Sequence, residues 1–87
     1  MYAIASSVKF IADDNGTTLL DLSSNQILGL NRTGSYIWEA IQRGESLAEI
    51  VTELSQATQV QRNTVEADTK EFVELLISKG LLTAEGS

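Results

Sequence analysis

Carboxylates are the side chains of this 87-residue sequence that could most readily do chemistry. Twelve Asp and Glu residues stand against six Lys and Arg, and the chain contains no histidine and no cysteine. The absence of those two residue types excludes thiol nucleophiles, disulfides, the common zinc sites and the usual general base. A catalytic site would therefore have to be a pair of carboxylates working as acid and base.

The positions of the carboxylates do not favour such a pair. Some are expected at turns or strand ends, namely Asp13, Asp14 and Asp21, and others on the outer faces of helices, namely Glu39, Glu49, Glu53, Glu66, Glu71 and Glu74. The run Asp-Asp-Asn-Gly at 13–16 has oxygen ligands but lacks the length and the terminal Glu of a calcium loop, so it favours a turn. No glycine-rich phosphate loop is present. We predict no catalytic residues, no metal site and no cofactor.

The net charge of −6 opposes binding to the phosphates of nucleic acids and to anionic membranes. No apolar run approaches the roughly 18 residues of a membrane span. Residues 1–5 lack the basic start and long apolar stretch of a secretory signal. We therefore expect a cytoplasmic protein that binds neither nucleic acid nor membrane.

Three strands are predicted to form the first half of the fold. The length, with 43% apolar and 21% charged residues, indicates a single globular domain over 1–87 with its core at about 6–83. Alternation predicts a half-buried strand over 8–13, an Asn-Gly turn, a second strand over 17–22 and a third over 26–30. Short turns make this an antiparallel meander whose third strand keeps a free edge.

Three helices are predicted to follow the meander, giving an α+β fold that is like a winged helix-turn-helix. They are expected over 33–43 with Asn31 or Thr33 as N-cap, from Ser46 to about Ala57, and from Asn63 to Lys79. Ser46 with Glu49, and Asn63 with Glu66, have the spacing of capping boxes. Gly44 and Gly80 are the expected stops.

The third helix has more apolar surface than one core contact explains. Its apolar residues spread over about 200° of the helix circumference, against about 100° for the second helix. They are Val65, Phe72, Val73, Leu75, Leu76 and Ile77. Part of this helix should therefore be covered by something other than the core.

Two binding functions are compatible with this arrangement. A winged helix-turn-helix domain that binds nucleic acid is the alternative, but the third helix carries four acids against Lys70 and Lys79, where a recognition helix normally presents a basic stripe. A peptide-binding module needs an open strand edge and an apolar groove beside it, which the third strand and third helix could supply. A third possibility is that the strand is merely protected and the helix only fills the core.

Three short segments carry a resemblance to a known family. They are LLDLSSNQILGLNRTGSYIW at 19–38, SLAEIV at 46–51, and Val65, Asp68, Phe72 and Val73 followed by Gly-Leu-Leu at 80–82. They resemble the PqqD-like family, whose small domains recognise the precursors of ribosomally made natural products. The first segment is similar to the family's strand-to-helix hinge, the second to its second helix, and the third to its third helix and exit.

The resemblance implies a non-catalytic protein that binds the leader segment of a precursor peptide. The leader would add a strand along the third strand, with its apolar side chains in a cleft beside the third helix. Carried onto this chain, the peptide-binding residues are Gln26, Ile27, Leu28, Gly29, Leu30, Val65, Asp68, Thr69, Phe72 and Leu76. Thr69 stands where the family often has an aliphatic residue.

Within the family, the chain looks most like the free-standing recognition proteins of lasso-peptide pathways. The spacing of Leu-Asp-Leu at 20–22, Leu-Gly-Leu-Asn at 28–31 and Thr-Gly-x-x-Ile-Trp at 33–38 carries this likeness. It implies two enzyme partners besides the leader peptide, a leader peptidase and an ATP-dependent lasso cyclase.

Overall fold

The computed structural model describes residues 2–84, which form two small antiparallel sheets and three helices. In chain order the elements are β1 (Tyr2–Ile4), β2 (Val8–Asp13), β3 (Gly16–Asp21), β4 (Gln26–Leu30), α1 (Arg32–Gln42), α2 (Leu47–Thr58), α3 (Arg62–Ser78) and β5 (Leu82–Ala84). The predicted α+β fold, a three-stranded antiparallel meander followed by three helices, is confirmed. Among the described residues, no helix combines the length and apolar character that crossing a membrane requires.

The meander has the strand order β2-β3-β4, with β3 in the centre. Its first turn is closed by Asp13, whose Oδ1 accepts hydrogen bonds from the amides of Asn15 (2.8 Å) and Gly16 (3.1 Å). Gly16 has a φ of 149°, and a Cβ there would collide with the carbonyl oxygen of Leu30 in β4. Glycine is therefore required where β4 ends beside this turn.

The half-buried character expected for β2 is wrong over most of that strand. Only Val8 is buried, and Phe10 is 43% exposed, although its ring makes an edge-to-face contact with Trp38 (centroids 6.0 Å apart). β2 lies at the edge of the sheet farthest from β4, where the helices cover little of it. Burial of the strand is set by what packs on it, which alternation alone does not report.

The small sheet of β1 and β5 was not predicted. It joins the two ends of the chain, with Tyr2 opposite Ala84 and Ile4 opposite Leu82. Strands of three residues are too short to show an alternating pattern, and their pairing spans almost the whole sequence. This sheet brings Leu81 and Leu82, both 1% exposed, into the core.

The predicted helix starts are confirmed for α1 and α2. Asn31 is the N-cap of α1, since its side chain accepts a hydrogen bond from the Gly34 amide (2.8 Å). The Ser46 and Glu49 capping box is present at α2, with both of its hydrogen bonds formed.

The predicted capping box at the start of α3 is wrong. The helix begins at Arg62 with Gln61 as N-cap, and no side chain caps it. Gln59 takes a left-handed conformation with a φ of 59°, which reverses the chain early. Asn63 thus already lies in the first turn of the helix, where it cannot act as an N-cap.

The core lies between the inner face of the meander and the three helices. Trp38 of α1 is completely buried at its centre. The other buried apolar residues are Val8, Leu19, Leu30, Ile37, Ala40, Ile41, Ile50, Val51, Leu54, Val65, Val73, Leu76, Leu81 and Leu82. This core places α3 beside β4 with a space between them.

Candidate functional site

β4 is the free edge of the three-stranded sheet. Within the described chain it pairs with β3 on one side only, so its other side presents backbone N–H and C=O groups that no strand satisfies. Leu28 and Leu30 point towards the helices, whereas Ile27 and Gly29 lie on the opposite face. The strand runs over 26–30, as the sequence predicts.

A groove of about 400 Å³ lies along the inner side of this edge. β4 contributes Leu28 and Leu30 to its wall, and α3 contributes Val65, Phe72 and Leu75. The start of α1 and the end of α2 complete the lining, which is mostly apolar. An extended peptide lying on the strand edge would therefore place alternate side chains against apolar surface.

Two polar residues of α3 also line the groove. Asp68 is exposed on the solvent side, whereas Thr69 is 1% exposed. The Thr69 hydroxyl has no hydrogen-bond partner among residues 2–84. A buried hydroxyl without a partner lowers the stability of the fold.

One hydrogen bond joins the beginning of β4 to the segment directly after α3. The Gln26 side-chain amide donates to the carbonyl oxygen of Lys79 (3.3 Å) and also to Ser24 Oγ (2.9 Å) in its own turn. At the other end of β4, Leu30 passes into the N-cap of α1 at Asn31. Both ends of β4 are thus connected to the helical part of the fold.

Asp21 holds the turn from which β4 begins. Its carboxylate is buried, and it accepts hydrogen bonds from the hydroxyls of Ser7 (2.7 Å), Ser23 (2.9 Å) and Ser24 (2.8 Å) and from the Ser23 amide (3.1 Å). These donors, Ser7 first, stabilise the ionised form and lower the pKa of Asp21 to about 2. The sequence pattern predicts only that this acid lies at a turn or strand end. The two serines that follow it are the signal for a side-chain-bonded turn.

The structure brings seven of the ten predicted site residues together in the groove. They are Leu28, Gly29, Leu30, Val65, Asp68, Thr69 and Phe72, of which Gly29 borders the groove through its backbone only. Gln26 and Ile27 belong to the same strand but lie outside the groove, and Ile27 is 73% exposed on the outer face of the sheet. Leu76 is fully buried in the core and does not line the groove.

Several residues that line the groove were not among the predicted site residues. Leu75, which is 44% exposed, faces the groove where Leu76 faces the core. Gly34 and Ile37 of α1 and Leu54 of α2 also line it. Their periodicity marks them only as residues of a packed face, and the sequence carries no signal for which of them border an opening.

No acid cluster suited to a metal ion occurs in the described part of the chain. The hydrogen bond between Arg43 and Glu45 raises the pKa of Arg43 and lowers that of Glu45. Burial and the hydrogen bond to Glu53 raise the pKa of Tyr36. None of these residues lines the groove. The groove itself offers an unpaired strand edge and a mostly apolar surface.

Two solved structures share this fold over nearly their whole length. One is described as "TbiB1 in Complex with the TbiA(beta) Leader Peptide"; it has a TM-score of 0.89 and 32% sequence identity, and covers 97% of this chain and 98% of that one. The other is described as "Lasso peptide synthetase B1 complexed with the leader peptide", with a TM-score of 0.89, 25% identity and coverage of 95% and 98%. No curated protein is significantly similar in sequence.

A family model agrees with these structural likenesses. Residues 16–82 match the family described as Coenzyme PQQ synthesis protein D (PqqD). The matched segment runs from the start of β3 to the start of β5 and contains β4, α3 and the whole groove between them. Since it spans most of the sequence, the chain belongs to the PqqD family.

Proposed function

We propose that this protein is a non-catalytic recognition domain that binds the leader segment of a precursor peptide and presents the attached core peptide to its processing enzymes. The observation that carries the proposal is the free edge of β4 beside the apolar groove. Both solved structures of the same fold hold a leader peptide, according to their descriptions. The description of the second supports a lasso peptide as the product.

The leader binds as a fourth strand of the meander. Its backbone pairs with the N–H and C=O groups along Gln26–Leu30, which supplies affinity that depends little on the leader's sequence. Alternate leader side chains then point into the groove. Because few peptides have apolar residues at the right spacing, the groove supplies the selectivity.

Tethering is the way such a domain assists a reaction without catalysing it. While the leader is held, the attached core peptide meets a docked enzyme at a raised effective concentration, as in an intramolecular encounter. The enzymes of a lasso pathway would be a leader peptidase and an ATP-dependent cyclase. Tethering requires no acid, base or metal ion in the groove.

Binding to nucleic acid is the less favoured alternative. The exposed side of α3 carries Asp68, Glu71 and Glu74 around Phe72 and Leu75. A phosphate backbone would be repelled by these carboxylates. The same surface has no charge conflict with a neutral or basic peptide.

The direct test is titration of the protein with the leader of the precursor peptide encoded beside its gene. We expect a dissociation constant in the micromolar range or tighter, on the order of −8 kcal/mol or better. A peptide with the same leader residues in scrambled order is the control and should not saturate. Failure of the leader to bind would reject the proposed function.

Hydrogen exchange then tests the mode of binding. Amide exchange should slow at the alternate residues of Gln26–Leu30 whose N–H groups point away from β3 when the leader saturates the protein, because these groups gain partners. Unchanged exchange in β4 at saturation would reject strand addition while leaving leader binding intact.

A pair of phenylalanine variants tests the groove. Phe72→Ala removes an aromatic side chain that lines the groove and should weaken leader binding by about 2 kcal/mol. Phe10→Ala is the matched control, because Phe10 contacts Trp38 and does not line the groove. Equal losses of affinity in both variants would show that the effect is not local to the groove.

A further inference from the structure

The outer face of the meander carries exposed apolar side chains beside Lys9 and Thr18, although no element of the described chain covers it. Ile11 and Ile27 are 76% and 73% exposed there, and Leu20 is 37% exposed. Leu20 of β3 lies directly opposite Ile27 of β4 in the register of the sheet. Ile27 thus ends a short apolar row at the free edge of the sheet.

Gly29 lies on the same outer face of β4, two residues after Ile27. It lies opposite Thr18 of β3, and a Cβ placed on it would meet no atom within 4 Å. Its φ lies outside the left-handed range that favours glycine. Neither conformation nor packing requires glycine here, although glycine weakens a strand interior. A glycine of this kind often marks a place where a ligand approaches closely.

A strand that adds to β4 extends both faces of the sheet. Successive side chains of a strand point to opposite faces, so half of those on the added strand enter the groove and the other half lie beside Ile27 and Gly29. Side chains directly opposite each other across two strands have Cβ atoms about 5 Å apart. The outward residue opposite Ile27 is therefore in contact with it, and the open space over Gly29 admits a large neighbour.

We propose that the outer face of β4 is a second specificity site, at which an apolar side chain of the bound leader pairs with Ile27 and extends over Gly29. The inference rests on the proposed strand addition. With this second site, side chains on both faces of the added strand contribute to specificity. With the groove alone, only every second leader residue would contribute. A leader with suitable groove residues but polar or charged residues between them is then discriminated against.

The apolar pair Leu20 and Ile27 ends at the free edge of β4, where the leader would add its strand. This position favours the leader as the molecule that contacts Ile27. A separate protein docking on the outer face would cover the whole face, including Ile11 on β2, two strands away from the edge. A residue of the added strand reaches Ile27 and leaves Ile11 free. The two isoleucines therefore distinguish the two occupants.

The experiment compares Ile27→Thr with Ile11→Thr, using the fluorescently labelled leader of the precursor encoded beside the gene. The pair is matched, since both residues are more than 70% exposed on the same face, and threonine keeps the β-branched shape. We expect Ile27→Thr to weaken binding about two- to five-fold, as for the loss of one cross-strand apolar pair. Ile11→Thr should bind like the wild type.

A double-mutant cycle locates the partner in the leader. Each leader residue in turn is changed to threonine and measured against wild type, Ile27→Thr and Phe72→Ala. Some leader positions should show non-additive effects with Phe72, and these face the groove. The position that shows non-additive effects with Ile27 faces the outer side, so it should lie an odd number of residues away from them. Such a result would establish that the two faces of one strand are read.

Three outcomes would overturn the inference. They are equal affinity of Ile27→Thr and wild type, equal losses in both isoleucine variants, and coupling of Ile27 and Phe72 to leader positions an even number apart. Failure of the proposed function itself is recognised separately, because wild-type protein would then neither bind the leader nor show slowed exchange in β4.

Discussion

The ring of Phe72 lies against the backbone of Gly34. A Cβ on Gly34 would be 3.3 Å from the Cε1 and Cζ atoms of that ring, and equally close to the Cβ of Leu30. The first turn of α1 thus meets α3 and the end of β4 at one point, which is the inner wall of the groove. Because glycine has no side chain, the ring can lie closer to α1 than any other residue would permit.

Gly34→Ala should therefore change the groove more than the fold. The added methyl group forces the Phe72 ring to shift by a few tenths of an ångström. We expect leader affinity to fall by about 1 kcal/mol, because the displaced ring is one of the side chains that line the groove. The urea midpoint should change little, because alanine is favoured over glycine in a helix by up to about 1 kcal/mol.

Replacing the ring provides the control for this prediction. In Gly34→Ala combined with Phe72→Leu, the methyl group no longer meets an aromatic ring, so the two changes should be non-additive in leader affinity. Strictly additive effects, or an unchanged affinity in Gly34→Ala alone, would show that the contact does not shape the binding surface.

Leu75 and Leu76 are neighbours in sequence with opposite surroundings. Leu75 is 44% exposed in the groove, and Leu76 is 0% exposed in the core. Leu76→Ala should lower the free energy of unfolding by about 2 to 5 kcal/mol, because it leaves a cavity. Leu75→Ala should instead weaken leader binding by about 1 kcal/mol or more and leave the urea midpoint nearly unchanged.

Leader titration and urea unfolding of both leucine variants separate the groove face from the core face of α3. The remaining folded Leu76→Ala protein should bind the leader with close to wild-type affinity. If Leu76→Ala removed binding with an unchanged midpoint, the groove would have to lie on a different face of α3.

The parts of the site that the sequence predicts well are those set by local chemistry. The bounds of β4 follow from the turn before it and from the alternation of Leu28 and Leu30. The start of α1 follows from the side chain of Asn31, and that of α2 from Ser46 with Glu49. In each case the residues that decide the structure lie within a few positions of one another.

The parts that could not be predicted depend on contacts between distant segments. β1 and β5 pair across nearly the whole chain. Ile37 and Leu54 line the groove only because the first half of α1 and the end of α2 lie beside it. On α3, Leu75 lines the groove and the next residue, Leu76, lies in the core. Because the apolar residues of α3 spread over about 200° of its circumference, their pattern does not show which of the two leucines faces the groove.

Replacing threonine by valine should have opposite effects on the free energy of unfolding at two buried positions, Thr69 and Thr17. Thr69 has an unpartnered hydroxyl, whereas Thr17 Oγ1 accepts a hydrogen bond from Ser35 Oγ (2.8 Å). Valine has nearly the same shape as threonine without the hydroxyl. Thr69→Val should raise the free energy of unfolding by about 1 kcal/mol, since it removes a buried polar group that lacks a partner.

Thr17→Val is the matched control, and it should lower stability by about 1 kcal/mol because Ser35 loses its acceptor. Urea unfolding of the two variants measures both effects. Thr69→Val should also bind the leader at least as well as wild type, because the groove wall becomes more apolar. Destabilisation by Thr69→Val would mean that the hydroxyl has a role in the folded protein.

The lowered pKa of Asp21 leads us to expect that part of the free energy of unfolding is lost in acid. Its pKa falls from 3.8 to about 2 in the folded protein, because three serine hydroxyls and one amide bind the ionised carboxylate. A group whose pKa is lower in the folded state adds stability above its unfolded pKa and loses it as the pH falls towards its folded pKa. The contribution of Asp21 is thus complete above about pH 4 and disappears between pH 4 and 2.

Comparison with Asp21→Asn isolates this contribution from the titration of the other acids. Urea midpoints at pH 6, 4, 3 and 2.5 should show the wild type more stable than the variant at pH 6, with the difference shrinking below pH 4. Asp14→Asn, at an exposed position in the first turn, should follow the wild type throughout. A constant difference between wild type and Asp21→Asn over this range would mean that the charge is not what holds the turn. Because the same turn sets the start of β4, Asp21→Asn should also lose leader affinity at neutral pH, whereas Asp14→Asn should keep it.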